Sequence, residues 1–156
     1  MSISLSQLRD LAERSLFELD PVLASAAAIE LVIGTAAHES GLGTYIRQVR
    51  GPALGICQME PATFLDISRR YLDARPELVS RMVALGYPRK PAALEWDIRL
   101  ALVMCRLHYR RVPTPLPIAG DWEGQAHYWK RHYNTMAGAG TVEQYMRDLK
   151  KYAIIV

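Results

Sequence analysis

"VLASAAAIELVIGTAAHESGLG", residues 22–43, carries small and apolar side chains almost all the way round a helical wheel. That pattern belongs to a helix enclosed by other helices, not to one lying on a surface. Asp20 and Pro21 precede it as an N-cap and a proline at the first helical position, and the glycines at 41 and 43 stop it. Its most apolar run, Val22 to Ala37, is too short to span a bilayer and contains Glu30. The stretch therefore predicts a buried central helix, and Glu39 falls at its C-terminal end. The next acid is Glu60.

Outward from this helix the periodicity stays helical. Leu5, Leu8, Ala12 and Leu16 mark a first amphipathic helix ending near Asp20, with Ser4 and Gln7 placed as a capping box. Further helices are expected from Pro61 to about Asp73, from Pro76 to about Leu85, and from Ala92 to about Arg111. The last of these carries Leu94, Ile98, Ala101, Leu102 and Cys105 on one face and Glu95, Arg99, Arg106 and Arg110 on another. After the proline-rich connector "VPTPLPIAGD", the segments "DWEGQAHYWKRHYN" and "TVEQYMRDLKKYA" read as two final helices, the second opened by a capping box of Thr141 and Gln144. A short β-hairpin near residues 41–57 is the one strand element the sequence admits. The expected fold is predominantly α, in a single domain over residues 1–156.

Composition agrees. A chain of 156 residues suits one domain, and 50% hydrophobic with 22% charged residues is the balance of a soluble globular protein. A net charge of +3 favours an anionic partner such as nucleic acid, a membrane surface or bacterial cell wall, without choosing among them. Cys57 and Cys105 lie in apolar surroundings without metal-ligand spacing and read as buried thiols. The N-terminus lacks a basic region followed by an apolar core, so synthesis in the cytoplasm without a signal peptide is expected.

Glu39 combines two effects that disfavour its anion. It sits on a buried apolar helix, and at the end where the helix dipole is negative. Both raise its pKa, as a general acid for glycoside cleavage requires. Gln58, in a turn ahead of a helix opened by Pro61, offers a donor and an acceptor suited to sugar hydroxyl and acetamido groups. Tyr133 and Asn134 precede a glycine-rich turn and a capped helix.

In series, Glu39-Ser40, then Gly55-Ile56-Cys57-Gln58 with Pro61 and Thr63, then Tyr133-Asn134, resemble the motifs of the soluble lytic transglycosylase and goose-type lysozyme superfamily. The resemblance runs from about residue 28 to residue 146. Cys57 and Glu60 stand where the family has apolar residues, and Asn134 is followed by Thr-Met-Ala-Gly in place of Ala-Gly. The resemblance implies a lysozyme-like fold and cleavage of the β-1,4 bond between N-acetylmuramic acid and N-acetylglucosamine in peptidoglycan. Glu39 is then the catalytic acid, and Ser40, Gln58, Tyr133 and Asn134 shape or line the sugar groove. The attacking group stays open. A hydrolase needs a second carboxylate, for which Glu60 is the candidate and Asp66 the more distant one, whereas a lytic transglycosylase uses the muramic 6-hydroxyl. Glu60 also stands where it can cap the helix that Pro61 opens.

The implied partner is the peptidoglycan glycan strand, met by a monomer. No metal or other cofactor is expected: "HES" begins like a zinc-peptidase motif, but Leu42 occupies the second histidine position. The aromatic and basic run Tyr128 to Tyr133 reads as core and groove wall, so nucleic acid is not an expected partner. Stable membrane insertion is not expected either. The stripe of Val142, Tyr145, Met146, Leu149 and Ala153 reads as a helix closing the core, with a basic amphipathic tail acting on membranes as the other reading. Size, charge and the missing signal fit a phage-type lysin that reaches the wall through a membrane pore or with a virion. A non-catalytic wall-binding or virion structural protein that keeps the groove is the alternative.

Overall fold

The computed structural model describes residues 2–134 and 138–156. It is predominantly helical. Seven α-helices follow one another among the described residues: α1 (Leu5–Leu19), α2 (Ala26–Ser40), α3 (Pro61–Ile67), α4 (Pro76–Ala84), α5 (Ile98–Arg110), α6 (Trp122–Trp129) and α7 (Val142–Lys151). As its pattern predicts, α2 is central and packs against α1, α5, α6 and α7. Its buried side chains include Ile29, Leu31, Val32, Ile33, Ala36 and Ala37, spread around the whole wheel. The α7 contact needs Gly34, where a Cβ would overlap the Tyr145 hydroxyl. One continuous apolar core results, with Trp129, Tyr109, Tyr145 and Phe64 among its fully buried side chains.

Several helix ends differ from the sequence-based expectation. Asp20 accepts a hydrogen bond from Val22 N, but it opens only a 3₁₀ turn, Pro21–Leu23. The Leu23 carbonyl is taken by Arg106 Nε at 2.9 Å, and the helix proper starts afresh behind Ser25, whose Oγ caps Ala28 N. Arg106 is therefore buried, 5% exposed, and not part of a solvated face. Ser4 makes no cap bond, because its hydroxyl pairs with Ser6 Oγ at 3.0 Å. The expected helix from Ala92 divides into a 3₁₀ turn, Pro91–Glu95, and α5, separated where Asp97 caps Leu100 N. α3 relaxes into a π-helical turn, Ser68–Leu72, where the Ser68 hydroxyl bonds the Phe64 carbonyl. The Thr141 and Gln144 capping box forms as expected.

Between α2 and α3 the chain pairs with itself without building strands. Isolated antiparallel bridges join Arg47 to Leu54 and Leu54 to Met59, so the expected hairpin reduces to two contacts, one of them beyond residue 57. On α7, Tyr145 and Leu149 are 0% and 1% exposed, which makes this helix a core element. Ala153 lies beyond its end and off the stripe. Cys57 and Cys105 are free and buried. No helix among the described residues is long and apolar enough to cross a membrane.

Candidate active site

Glu39 occupies the last turn of α2 and faces a cavity of about 560 Å³. The opposite walls come from residues of the segment 48–63, from His108 on α5, and from residues 133, 134 and 138–140. Burial pushes the Glu39 carboxyl up to about 7, against the opposing pull of Trp129, whose Nε1 donates to Glu39 Oε1 at 2.9 Å. The carboxyl is thus a proton carrier matched to neutral pH. Beside it, His38 Nδ1 is bonded to Asp148 Oδ2 at 2.7 Å, and its ring meets Trp129 edge-on at 4.5 Å. Burial lowers the His38 pKa in spite of that carboxylate, which favours the neutral ring.

The turn Gly55 to Gln58 is the second wall. It is closed by mutual backbone bonds of 2.9 and 3.0 Å between Leu54 and Met59 and by Gln58 N donating to Gly55 O at 3.0 Å. Gly55 has φ +77, and a Cβ there would overlap the Leu94 carbonyl, so both conformation and space require glycine. Gln58 is held at φ 47, a left-handed conformation that costs a side-chain-bearing residue about 1 kcal/mol. Its Nε2 donates to Gly55 O at 2.8 Å, and its side chain lines the cavity.

Two distant residues hold this turn by its carbonyls. Ser40 Oγ donates to Ile56 O at 2.6 Å, and Tyr133 Oη donates to Cys57 O at 2.6 Å. Ser40 is 1% exposed and absent from the cavity wall, so it shapes the groove from behind and does not meet a ligand there. Tyr133 and Asn134 both line the cavity. Asn134 Oδ1 accepts from Lys130 Nζ at 2.7 Å, and the same ammonium donates to Gly138 O at 2.9 Å. Of the expected glycine turn after Asn134, residues 135–137 lie outside the described residues.

Glu60 stands at the N-cap position of α3 but makes no side-chain cap bond. The capping role expected of its carboxylate is therefore absent, and the exposed side chain lines the cavity instead. Among the described residues, Glu39 and Glu60 are the carboxylates on this wall. Asp66 is turned away and gripped by Arg111 at 2.6 Å and Arg70 at 3.0 Å. No three His, Cys, Asp or Glu side chains gather as a metal site among the described residues.

The structure thus brings Glu39, Gln58, Tyr133, Asn134 and Glu60 to one cavity and leaves Ser40 behind it. Sequence reading passed over His38 and His108 as members of the site, and took in Trp129 and Lys130 only within a run read as core and groove wall. His38 was visible only as part of a failed zinc motif, and Trp129 as one aromatic in a mixed run. Neither has a local signal, since each acts on a residue that the fold delivers. Compared with known proteins, the chain matches no protein-family model, no curated protein and no solved structure.

Proposed function

We propose that the protein cleaves the β-1,4 bond between N-acetylmuramic acid and N-acetylglucosamine in peptidoglycan, with Glu39 as general acid. The observation that carries this reading is the Glu39 carboxyl itself: buried, raised to about 7, and open to a cavity walled by hydrogen-bonding side chains. A carboxyl protonated near neutral pH can deliver its proton to the glycosidic oxygen as the bond breaks and positive charge builds on the sugar ring. Gln58 and Asn134 on the wall offer amide groups to sugar substituents. Tyr133 keeps the Gln58 turn in register.

The second step divides two routes. In lytic transglycosylation the muramic 6-hydroxyl attacks and Glu39, now ionised, takes its proton. In hydrolysis Glu60 activates water or attacks directly. We propose the transglycosylase route, because Glu60 is exposed whereas Glu39 is enclosed and suited to both proton transfers. Mass spectrometry of purified peptidoglycan after digestion tests both levels. Products with 1,6-anhydromuramic ends support the proposal, and reducing muramic ends reassign the route to hydrolysis. An undigested wall, at protein concentrations where folding is verified, refutes the activity and leaves the non-catalytic wall-binding reading.

A further inference from the structure

His38 stands one residue before Glu39 in the last turn of α2 and lines the same cavity. Its ring is held from two other helices. Asp148 on α7 takes Nδ1 at 2.7 Å, Trp129 on α6 meets the ring edge-on at 4.5 Å, and Tyr145 on α7 lies tilted against it with centroids 5.7 Å apart. The titratable groups around the ring are Glu39 beside it on α2 and Asp148 and Tyr145 from α7, and burial keeps the Tyr145 hydroxyl protonated.

These contacts fix one edge of the ring and leave the other free. The Asp148 carboxylate can only accept, so Nδ1 carries the ring proton and donates it there. Burial lowers the ring's pKa in spite of that carboxylate, so at neutral pH no second proton is bound and Nε2 keeps its lone pair. Among the described residues no group hydrogen-bonds Nε2. Glycine at position 140 keeps this edge uncovered, since a Cβ there would come within 3.1 Å of Nε2 and 2.7 Å of the Trp129 ring. Asn134 Nδ2 lies 3.1 Å from the same point, so the two nitrogens are no more than about 6 Å apart. The Asn134 amide is oriented by Lys130, whose Nζ takes Oδ1 and leaves Nδ2 as a donor. A fixed acceptor and a fixed donor thus stand side by side on the wall that holds Glu39. A hydroxyl, which donates and accepts through one oxygen, engages such a pair at once. An amide points its N–H and C=O in opposite directions and needs partners roughly 7–8 Å apart.

We propose that His38 is a ligand-binding residue of this cavity: Nε2 accepts a hydrogen bond from a hydroxyl of the bound sugar, Asn134 Nδ2 donates to the same oxygen, and Asp148 positions the ring by fixing which nitrogen carries the proton. The inference rests on the proposed reading of the cavity as a glycan site. It gives α7 a share in recognition beyond its share in the core.

The test uses Glu39→Gln protein, isotope-labelled at its histidine nitrogens. The ligand is the peptide-free tetrasaccharide of alternating N-acetylglucosamine and N-acetylmuramic acid. NMR is expected to show His38 Nε2 unprotonated in the free protein. Saturating tetrasaccharide should shift that resonance and move the ring's titration to lower pH, because the bound hydroxyl holds Nε2 unprotonated. Adding His38→Phe, which keeps a ring against Trp129, should weaken binding about fivefold, the loss of one neutral hydrogen bond. His38→Gln, whose amide oxygen accepts, should recover most of that loss. Asp148→Asn should bring up a population with the proton on Nε2, a change that a merely structural Asp148 would not produce. A tetrasaccharide that binds without moving the Nε2 resonance, or that binds the His38→Phe protein as tightly as its parent, assigns His38 to packing alone and overturns the inference while the glycan reading stands. If His38→Phe does not fold, the resonance and titration of the parent decide alone. A tetrasaccharide that does not bind overturns both. Binding at His38 with wild-type protein leaving the wall uncut supports the subsite, and the proposed cleavage alone fails.

Discussion

Trp129 Nε1 donates to Glu39 Oε1 across 2.9 Å, and among the described residues it is the only side chain hydrogen-bonded to that buried carboxyl. A donor to a carboxylate favours the ionised form, so this bond restrains a pKa that burial drives upward. Removing it raises the pKa further. With Glu39 as the acid, activity falls as pH rises through that pKa. Trp129→Phe is therefore expected to move the alkaline limb of kcat/KM from about 7 to higher pH, beyond any loss of stability from the smaller ring. A pH profile on purified wall checks it, and an unmoved limb denies Glu39 the acid's role.

Glu39 also sets a pH dependence of stability. Its folded pKa of about 7 exceeds the ordinary value of 4.5, so the folded state holds the proton more tightly. Stability is full below about 4.5 and falls as pH rises to about 7, by about 3 kcal/mol. Glu39→Gln removes that penalty. Its Tm should match wild type at pH 4 and exceed it by several degrees at pH 8, while activity drops at least about 10²-fold. Calorimetry at the two pH values, with a turbidity assay on cell walls, decides both halves.

Gln58 holds a left-handed backbone without being glycine. Gln58→Gly should relieve the strain and raise stability by about 0.5–1 kcal/mol while lowering turnover, since the cavity loses an amide. Gln58→Ala keeps the strain and loses the same amide. A glycine variant that is more stable and fully active would assign the residue to the turn alone.

Glu60 has no capping bond to lose. Glu60→Gln should leave the unfolding free energy within about 0.5 kcal/mol of wild type, as for an exposed substitution, and a denaturant melt measures it. If the transglycosylase route is right, turnover also persists and digests keep their 1,6-anhydromuramic ends. Abolished turnover, together with reducing ends in the wild-type digest, makes Glu60 the second catalytic carboxylate.

Leu149 is 1% exposed where α7 meets α2. Leu149→Ala should cost about 3 kcal/mol, a core truncation, and a denaturant melt measures it. A protein that keeps its stability but loses lysis of intact cells would return α7 to the membrane reading.

Local signals determined much of this molecule. The all-round apolar wheel of α2, the glycines that end it and the Thr141 capping box each depend on residues within a few positions, and each is realised in the fold. Glu39 was legible for the same reason: its helix and its place on that helix are written beside it. Burial of α7 was legible from its stripe.

What the sequence left open depends on partners far along the chain. An apolar period says which face is covered but not by what. Leu23 and Arg106 settle the start of α2, Trp129 settles the environment of Glu39 from 90 positions away, and Ser40 and Tyr133 meet at neighbouring carbonyls of one turn. Glu60 stood equally well for a cap or a groove wall, because both begin from the same backbone position. No local pattern joins Arg75 to Arg110, and the fold alone sets them around one cavity with Arg70 and Arg111. Hydrogen bonds and charge fields act over a few ångströms of space, and only the packed chain decides which residues come that close.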